Sequence, residues 1–450
     1  MGKKTITKIL FKNSKFHNVI YALIYVIIYD YMWKNFESVY FSFAGIIYVD
    51  DFNHRLVGYL FALYPILFFR GLRNASSWVS IILYYVGYIP MIMGLCLDMP
   101  LDSKVNINSY YITLSLAMSM FFLADYSKIS FKRKTGKKIS PKWLWAITII
   151  FTILLLVTYG GNMRLSNFTD IYILREENST KELSGIGYVY SWCANFFYPF
   201  VFCMGLLKNN KKFIILGIMC FVLLFSIMGQ KSDILAPLIL WALYKVVIWV
   251  DKNKTNIMAP ITLGILAITI FLFRFVESET VFGIAGLFFN RTLGVSAYHV
   301  PMYLDFFADH PYTYFSHINI VNAITHSYPY PESLGRMISP EENGVSNAIF
   351  WLMDGVASCG ALGIVIISVI VYYFLLMING ICNEKNKFFI YTMMLIPMVA
   401  MVNVSFFTTV LSKGILFLFL TVWFVDISIE RYGPVVNNVS KVYSRSRIME

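Results

Sequence analysis

The chain is a succession of apolar blocks, each about 17–25 residues long, separated by short polar breaks. A block of about 20 apolar residues matches the thickness of a bilayer's hydrocarbon core when coiled as a helix, at about 1.5 Å per residue. The pattern predicts about twelve spans, near 18–34, 54–71, 76–97, 109–126, 143–160, 188–207, 213–229, 234–250, 258–275, 359–379, 389–407 and 411–429. The expected fold is all-α: a polytopic integral membrane protein, one transmembrane domain over 1–450. Two polar segments are longer than the rest, 161–187 and 276–347. Within the second, the run Val281–Phe289 and the amphipathic stretch Val295–Phe307 predict helices lying along the membrane surface. The stretch Val345–Ser358 is apolar but carries Asp354. It is too long to join the next span as one straight rod, so it predicts a short re-entrant helix. No internal repeat and no inverted pair of broken helices is visible, a pattern many carriers show.

Composition narrows the class. Apolar residues make up 58%, charged residues 14%, and mean hydropathy is +0.64. Soluble domains lie near 45–50% apolar and about 25% charged. This excludes a soluble enzyme, a disordered chain and a disulfide-rich secreted module. The net charge of +12 sits at span ends, so it reads as membrane topology and not as a nucleic-acid surface. With the N-terminus in the cytosol and the spans alternating, 26 of the 37 Lys and Arg residues fall on the cytosolic side. Both termini are then cytosolic, and 161–187 and 276–347 are external. The N-terminal lysines precede an apolar run with no small-residue cleavage site, which predicts a retained first span. The six cysteines form no C-x-x-C pair and read as small core residues.

The external segments hold the candidate chemistry. Arg164 and Arg175 lie in the first, Lys231 in the turn Gly229-Gln230-Lys231-Ser232-Asp233, and Arg274, Arg291 and Arg336 in or beside the second. Arginine presents a rigid fork of donors that matches phosphate oxygens, and lysine adds a point charge. Such groups at headgroup depth suit a diphosphate; the simpler reading is that each snorkels or pairs with Glu176, Asp233 or Glu277. Four of the six histidines, His299, His310, His317 and His326, fall in the second segment. Histidine is the side chain suited to proton transfer near neutral pH. His299 and His326 read as ordinary solvated residues. His310 and His317 are candidate bases that spacing cannot rank, because Pro311 interrupts any helix between them. Glu277 and Asp305 stand behind them. Glu277-Ser278-Glu279 is a weak cation pair, and no P-loop, G-x-G-x-x-G, G-x-S-x-G or H-E-x-x-H occurs. Neither a metal nor a nucleotide cofactor is expected.

Three pieces of this sequence resemble the O-antigen polymerase family, the oligosaccharide repeat unit polymerases. Asp170-Ile171-Tyr172-Ile173-Leu174-Arg175 looks like the family's Tyr-x-x-Arg in the first large periplasmic loop. Gly229-Gln230-Lys231-Ser232 looks like its Lys/Arg-Ser turn. The stretch from Arg291 through His310-Pro311, Ser316-His317 and Pro329-Tyr330 to Asn347, Gly355 and Gly360 is similar to the second loop and its return to the membrane. The Arg-x10-Gly spacing of some members is not met, since Ile186 stands there between Gly185 and Gly187. The resemblance covers most of the topology but only about 100 residues of motif. It implies an inner-membrane glycosyltransferase that joins undecaprenyl-diphosphate-linked repeat units on the periplasmic face, needing no cofactor. Beyond the lipid bilayer and that lipid-linked oligosaccharide, its candidate partner is a polysaccharide chain-length regulator. On this reading Arg175, Lys231, Arg274 and Arg291 hold diphosphates. Tyr172, Arg164, Arg336 and Asn347 contact substrate, and His310 or His317 is the base, with Glu277 and Asp305 in reserve. Alternatives are a lipid-linked oligosaccharide flippase, an O-antigen ligase, and a non-catalytic export scaffold. A flippase should show two related halves and cations buried in mid-span, and a ligase differs only in its acceptor.

Overall fold

The computed structural model of the chain describes residues 14–127, 139–164, 174, 178, 185–253, 257–275, 278, 283, 285–286, 289–339, 346–425 and 427. Among them the fold is helical, with no strand and one isolated bridge between Ile139 and Val425. In chain order the helices are α1 (Lys15–Met32), α2 (Phe52–Leu63), α3 (Ala75–Leu97), α4 (Ile107–Leu123), α5 (Lys142–Tyr159), α6 (Ile186–Leu207), α7 (Lys211–Met228) and α8 (Lys231–Asn253). There follow α9 (Met258–Phe275), α10 (Val295–Asp309), α11 (Asn319–Thr325), α12 (Leu334–Ile338), α13 (Trp351–Ile381), α14 (Lys387–Ala400), α15 (Phe406–Leu411) and α16 (Ile415–Phe424). Among the described residues, seven segments are long and apolar enough to cross a membrane: those of α3 to α8 and of α13. The helices at the other five expected spans, α1, α2, α9, α14 and α16, are shorter or less apolar. The span expected at 389–407 is interrupted, because α14 stops at Ala400 and the chain restarts as a helix only at Phe406. The expected single transmembrane domain is built as two compact units. One comprises Met1–Lys132, Lys245–Gly380 and Met394–Leu416; the other comprises Arg133–Tyr244, Ile381–Met393 and Phe417–Glu450.

The core of the first unit is aromatic, and several of its tyrosine hydroxyls are bonded to backbone carbonyls that helix irregularities release. Pro65 has no N–H, which leaves the Phe61 carbonyl without its helical donor. Tyr88 donates its hydroxyl to that carbonyl at 2.6 Å, and Tyr84 donates to the neighbouring Ala62 carbonyl at 2.9 Å. Inside α3 the chain widens into a π-helical turn over Tyr84–Tyr88, just ahead of Pro90. The wider turn relieves the clash between the proline ring and the carbonyl four residues back. Tyr25 donates to the Tyr85 carbonyl in that turn at 2.6 Å. Asp30, the carboxylate within the first span, is buried but accepts from Tyr59 at 2.5 Å and Tyr48 at 3.0 Å, with Arg55 at 3.8 Å.

This unit has two distinct ends. At one end lie the starts of α1 and α3 and the ends of α4 and α13. There Asn379 accepts from the Ser76 N–H at 2.9 Å and donates to the Ala124 carbonyl at 3.3 Å, and the Arg70 guanidinium stacks on the Tyr126 ring at 3.4 Å. Lys15, Arg70 and Arg73 sit at this end. At the other end Lys34 pairs with Asp50 (2.8 Å), Asp98 accepts from the Ile47 N–H (2.8 Å), and Lys104 faces Asp309 (3.8 Å). The second long segment is attached at that end.

In the second unit α6 and α7 form a tight antiparallel hairpin. A Cβ at Gly205 would lie 2.6 Å from the Ile214 nitrogen, and one at Gly217 2.7 Å from the Phe202 Cβ, so only glycine permits this backbone approach. Trp145 of α5 packs on Phe200 and Phe213 of the hairpin, and Phe196, Phe197 and Phe417 form a neighbouring aromatic group.

Candidate functional site

The amphipathic stretch expected along the membrane surface is α10. Its apolar face does not rest on lipid; it packs on α3. A Cβ at Gly94 would lie 2.5 Å from the Ala297 carbonyl, so the backbones touch there. Val295, Ala297, His299, Val300, Tyr303, Leu304 and Phe307 are buried, while Asp305, Ala308 and Asp309 are exposed. The apolar periodicity was visible in sequence; its partner was not, because any apolar surface satisfies the same pattern. His299 is correspondingly not the solvated residue expected. It is buried, its Nδ1 bonds the Val295 carbonyl at 2.8 Å, and burial pushes its imidazole down to about 4.

Around Asp354, where the sequence predicts a re-entrant helix, the backbone forms a helical hairpin. The chain enters as a π-helical turn over Trp351–Val356 and breaks at Cys359 (φ −154°) and Gly360 (φ +61°). It then returns antiparallel along the start of α13's long arm. Trp351 Nε1 donates to Ser368 Oγ at 2.9 Å, and Gly363 lies against the Gly355 carbonyl. The left-handed φ at Gly360 favours glycine, and a side chain there would also meet the Tyr312 hydroxyl at 2.7 Å. The turn exposes backbone carbonyls, which the loop after α10 takes up. Thr313 N–H donates to the Ala357 carbonyl at 2.8 Å and Tyr314 N–H to that of Ser358 at 3.1 Å.

Asp354, fully buried, ties three segments together. One oxygen accepts from Ser405 Oγ at 2.6 Å and faces His317 Nε2 at 3.3 Å; the other accepts from the Phe406 N–H at 2.6 Å. The interruption between α14 and α15 thus supplies a helix start whose N–H and N-cap serine meet a carboxylate. Thr313 Oγ1 lies 2.9 Å from both the Ala357 carbonyl and His317 Nδ1, and that carbonyl already accepts from the Thr313 N–H. With Nε2–H directed at the Asp354 carboxylate, Nδ1 accepts the threonine hydroxyl's hydrogen, and the network needs no further proton. Neither ring nitrogen of His317 is left to accept a proton from a substrate. His317 is a positioning residue that pins the loop to the re-entrant hairpin.

His310 is arranged otherwise. Its Nδ1 bonds the Phe306 carbonyl at 2.9 Å, and its ring stacks flat on Phe306 at 4.1 Å. Because a carbonyl can only accept, Nδ1 carries the hydrogen; in the neutral ring the Nε2 lone pair then lies on the exposed side. Tyr330 packs on Phe306 and donates its hydroxyl to the Pro311 carbonyl at 2.5 Å, and Tyr328 packs on Tyr330. Tyr328 donates to the Glu332 carbonyl at 2.9 Å, and Arg336 faces the Glu332 carboxylate at 4.0 Å. Asn347 follows Ser346, whose N–H donates to the Gly335 carbonyl at 2.8 Å. His310, Arg336 and Asn347, all exposed, therefore belong to one polar and aromatic shelf. Asp305 lies one turn before Asp309 on α10; partial burial and that neighbour push its carboxyl up.

The other candidate cations are elsewhere. Arg274 donates from Nε to the Tyr31 hydroxyl at 2.7 Å. Arg291 is exposed in the π-helical turn Asn290–Gly294, where Asn290 donates to the buried Glu37 at 2.9 Å and Tyr29 to the Leu293 carbonyl at 3.1 Å. Both arginines are thus gathered at the outer part of the first helix and its continuation to Tyr40. The 15-residue α10, about 22 Å long, separates Arg291 from His310. They do not converge on one reacting bond. Arg164 and Lys231 lie in the second unit: the Arg164 backbone N–H donates to the Ser226 carbonyl at 3.1 Å, and Lys231 begins α8 just past Gly229 (φ +60°). Tyr172, Arg175 and Glu277 and most of the run Val281–Phe289 lie outside the described residues. Sequence reasoning named Asp354 only as an interruption. A lone carboxylate in an apolar run was the available signal; nothing in sequence marked Ser405.

No protein-family model, no curated protein and no solved structure matches the chain.

Proposed function

We propose that the chain is a membrane-embedded glycosyltransferase joining undecaprenyl-diphosphate-linked repeat units into a surface polysaccharide, a polymerase of the O-antigen type. Its setting in this reading is a bacterial inner membrane, with both termini cytosolic and the reaction on the periplasmic face. His310 carries the reading, with one nitrogen fixed by a carbonyl, the other open, and an aromatic shelf beside it. Nε2 takes the proton of the acceptor sugar hydroxyl as that oxygen attacks the anomeric carbon of the donor. The bond from that carbon to the diphosphate oxygen breaks, and the diphosphate leaves with the electron pair. The faces of Tyr328 and Tyr330 suit stacking against sugar rings, and Arg336, facing Glu332 beside Tyr328, is a candidate cation for the leaving diphosphate. Arg274 and Arg291, a helix length away, suit the second diphosphate. The incoming unit brings its own, separated by several sugars from the hydroxyl that reacts.

The test is a strain lacking the protein, complemented with wild type or with His310→Ala. Single capped repeat units at the cell surface, restored to a ladder of chains by wild type only, are the expected result. Complete loss of surface glycan would point to a flippase or ligase instead.

A further inference from the structure

Two carboxyl groups of the first unit are buried with no cation paired to either among the described residues. Glu37 ends the π-helical turn Trp33–Glu37 that continues α1, and it is fully buried. Its Oε2 accepts from Asn290 Nδ2 at 2.9 Å. Its Oε1 makes no hydrogen bond and lies over Gly294, where a Cβ would sit 3.4 Å away. Asp98, 2% exposed, caps the C-terminal end of α3 and accepts from the Ile47 N–H at 2.8 Å. Trp33 Nε1 donates to the Ile47 carbonyl at 3.1 Å, so residue 47 joins Asp98 to the helix that carries Glu37. The cations at this end are committed elsewhere: Lys34 to Asp50, Arg55 to Asp50 and Asp30, and Lys104 to Asp309. Arg291 follows Asn290, but it is exposed.

The titratable groups that act on Glu37 are Asp98 and, on its own helix, Tyr29; Asp305 of α10 acts in turn on Asp98. None of them can carry a positive charge. An ionised carboxylate taken out of water needs a paired cation or several donors. Glu37 has one neutral donor, and Asp98 stands at the negative end of a helix macrodipole. Burial pushes the Glu37 carboxyl up to about 8, against the Asn290 hydrogen bond and helped by Asp98, and burial likewise pushes Asp98 up to about 7. The neutral Glu37 helps to hold the π-helical turn Asn290–Gly294, which Asn290 ties to Glu37 and the Leu293 carbonyl ties to the Tyr29 hydroxyl. Loss of the proton would leave a charge on a carboxylate whose Oε1 has no partner. Water reaches that oxygen only if the turn lifts, and Arg291 and the start of α10 lift with it.

We propose that Glu37 is a proton-binding latch: protonated, it clamps the Asn290–Gly294 turn to the first helix, and on losing its proton it releases that turn and Arg291 with it. The latch is independent of the glycosyltransferase reading, since it concerns how the turn is held and not what Arg291 binds.

The test compares the purified full-length protein in neutral detergent with Glu37→Gln, which keeps an acceptor oxygen and cannot ionise. Melting temperature and hydrogen exchange of the amides of 289–295, corrected for the intrinsic exchange rate, are followed against pH. The carboxyl binds its proton more tightly in the folded chain, at about 8, than in the unfolded chain, at 4.5. Its contribution to stability is therefore full below 4.5 and is lost as pH rises to about 8. Relative to Glu37→Gln, the wild type should melt progressively lower over that range, and the gap should stop changing above it. Taking the difference removes Asp98 and His299, which both proteins share. With a midpoint near 8, ionised and neutral Glu37 stand at about 1 to 100 at pH 6 and about 10 to 1 at pH 9. The wild-type turn should accordingly exchange at least about tenfold faster at pH 9 than at pH 6, and the Glu37→Gln turn equally at both. Parallel melting profiles, a wild-type turn whose exchange does not rise with pH, or the same rise in Glu37→Gln overturns the proposal. If Glu37→Gln fails to fold, the wild-type exchange profile alone decides.

Discussion

The two candidate histidines separate once hydrogens are counted. His310 keeps a nitrogen for chemistry, so His310→Ala and His310→Asn should each reduce chain extension by about 10²–10⁴-fold, with an unchanged melting temperature, as read from glycan ladders and detergent melts. His317 has both nitrogens committed. His317→Ala strips a partner from the buried Asp354, and the melt should show a stability loss of about 3 kcal/mol. Residual transfer by the protein that stays folded is the outcome that distinguishes a positioning residue from the base. His299 gives a pH dependence. Its imidazole titrates near 6.5 unfolded but about 4 folded, so between those values the unfolded chain binds the proton more tightly. Stability should therefore fall as pH drops from about 6.5 to about 4, by up to about 3 kcal/mol, and His299→Gln should flatten that slope in detergent melts. An unchanged slope would show that other groups set it.

At the scale of elements, the re-entrant hairpin is the feature most sensitive to single atoms. A methyl at Gly363 would sit on the Gly355 carbonyl, so Gly363→Ala should prevent the hairpin from closing and sharply lower the folded yield from membranes. At Gly264 in α9 a methyl would meet nothing within 4 Å, and Gly264→Ala should be neutral or stabilising by about 0.5–1 kcal/mol. Equal yields from the two variants would mean that the backbones are not in contact at Gly363. Much at this scale was legible beforehand. Most apolar blocks located helices within a few residues, although the helix at 54–71 stops at Leu63, and the excess length of Val345–Ser358 with its one carboxylate announced the turn. The interruption at 401–405 was not legible. Asn403 and Ser405 are polar, but isolated polar residues recur inside other spans, and the break is stabilised by Asp354, 51 residues away from Ser405.

For the whole molecule, the separation of charge between the two ends of the first unit gives an orientation that labelling can check. With the native cysteines replaced, a cysteine at Ala323 should react with a membrane-impermeant maleimide in intact cells whose outer envelope has been opened. One at Asn74 should react only after the inner membrane is permeabilised. The reverse pattern would invert the topology, placing the basic ends outside and the His310 shelf in the cytosol.

Hydropathy by itself determined that the chain is a bundle of helices in lipid, because the cost of exposing an unpaired peptide group to hydrocarbon depends on local composition alone. It also marked which segments leave the bundle, since polar residues are solvated wherever they fall. Only the tertiary structure decided that His317 is consumed by Thr313 and Asp354 while His310 stays open, and that α10 holds Arg291 and His310 a helix length apart. Those outcomes depend on pairings between residues distant in the chain, each satisfied by a single hydrogen or a single backbone approach, and such pairings leave no periodic trace in sequence.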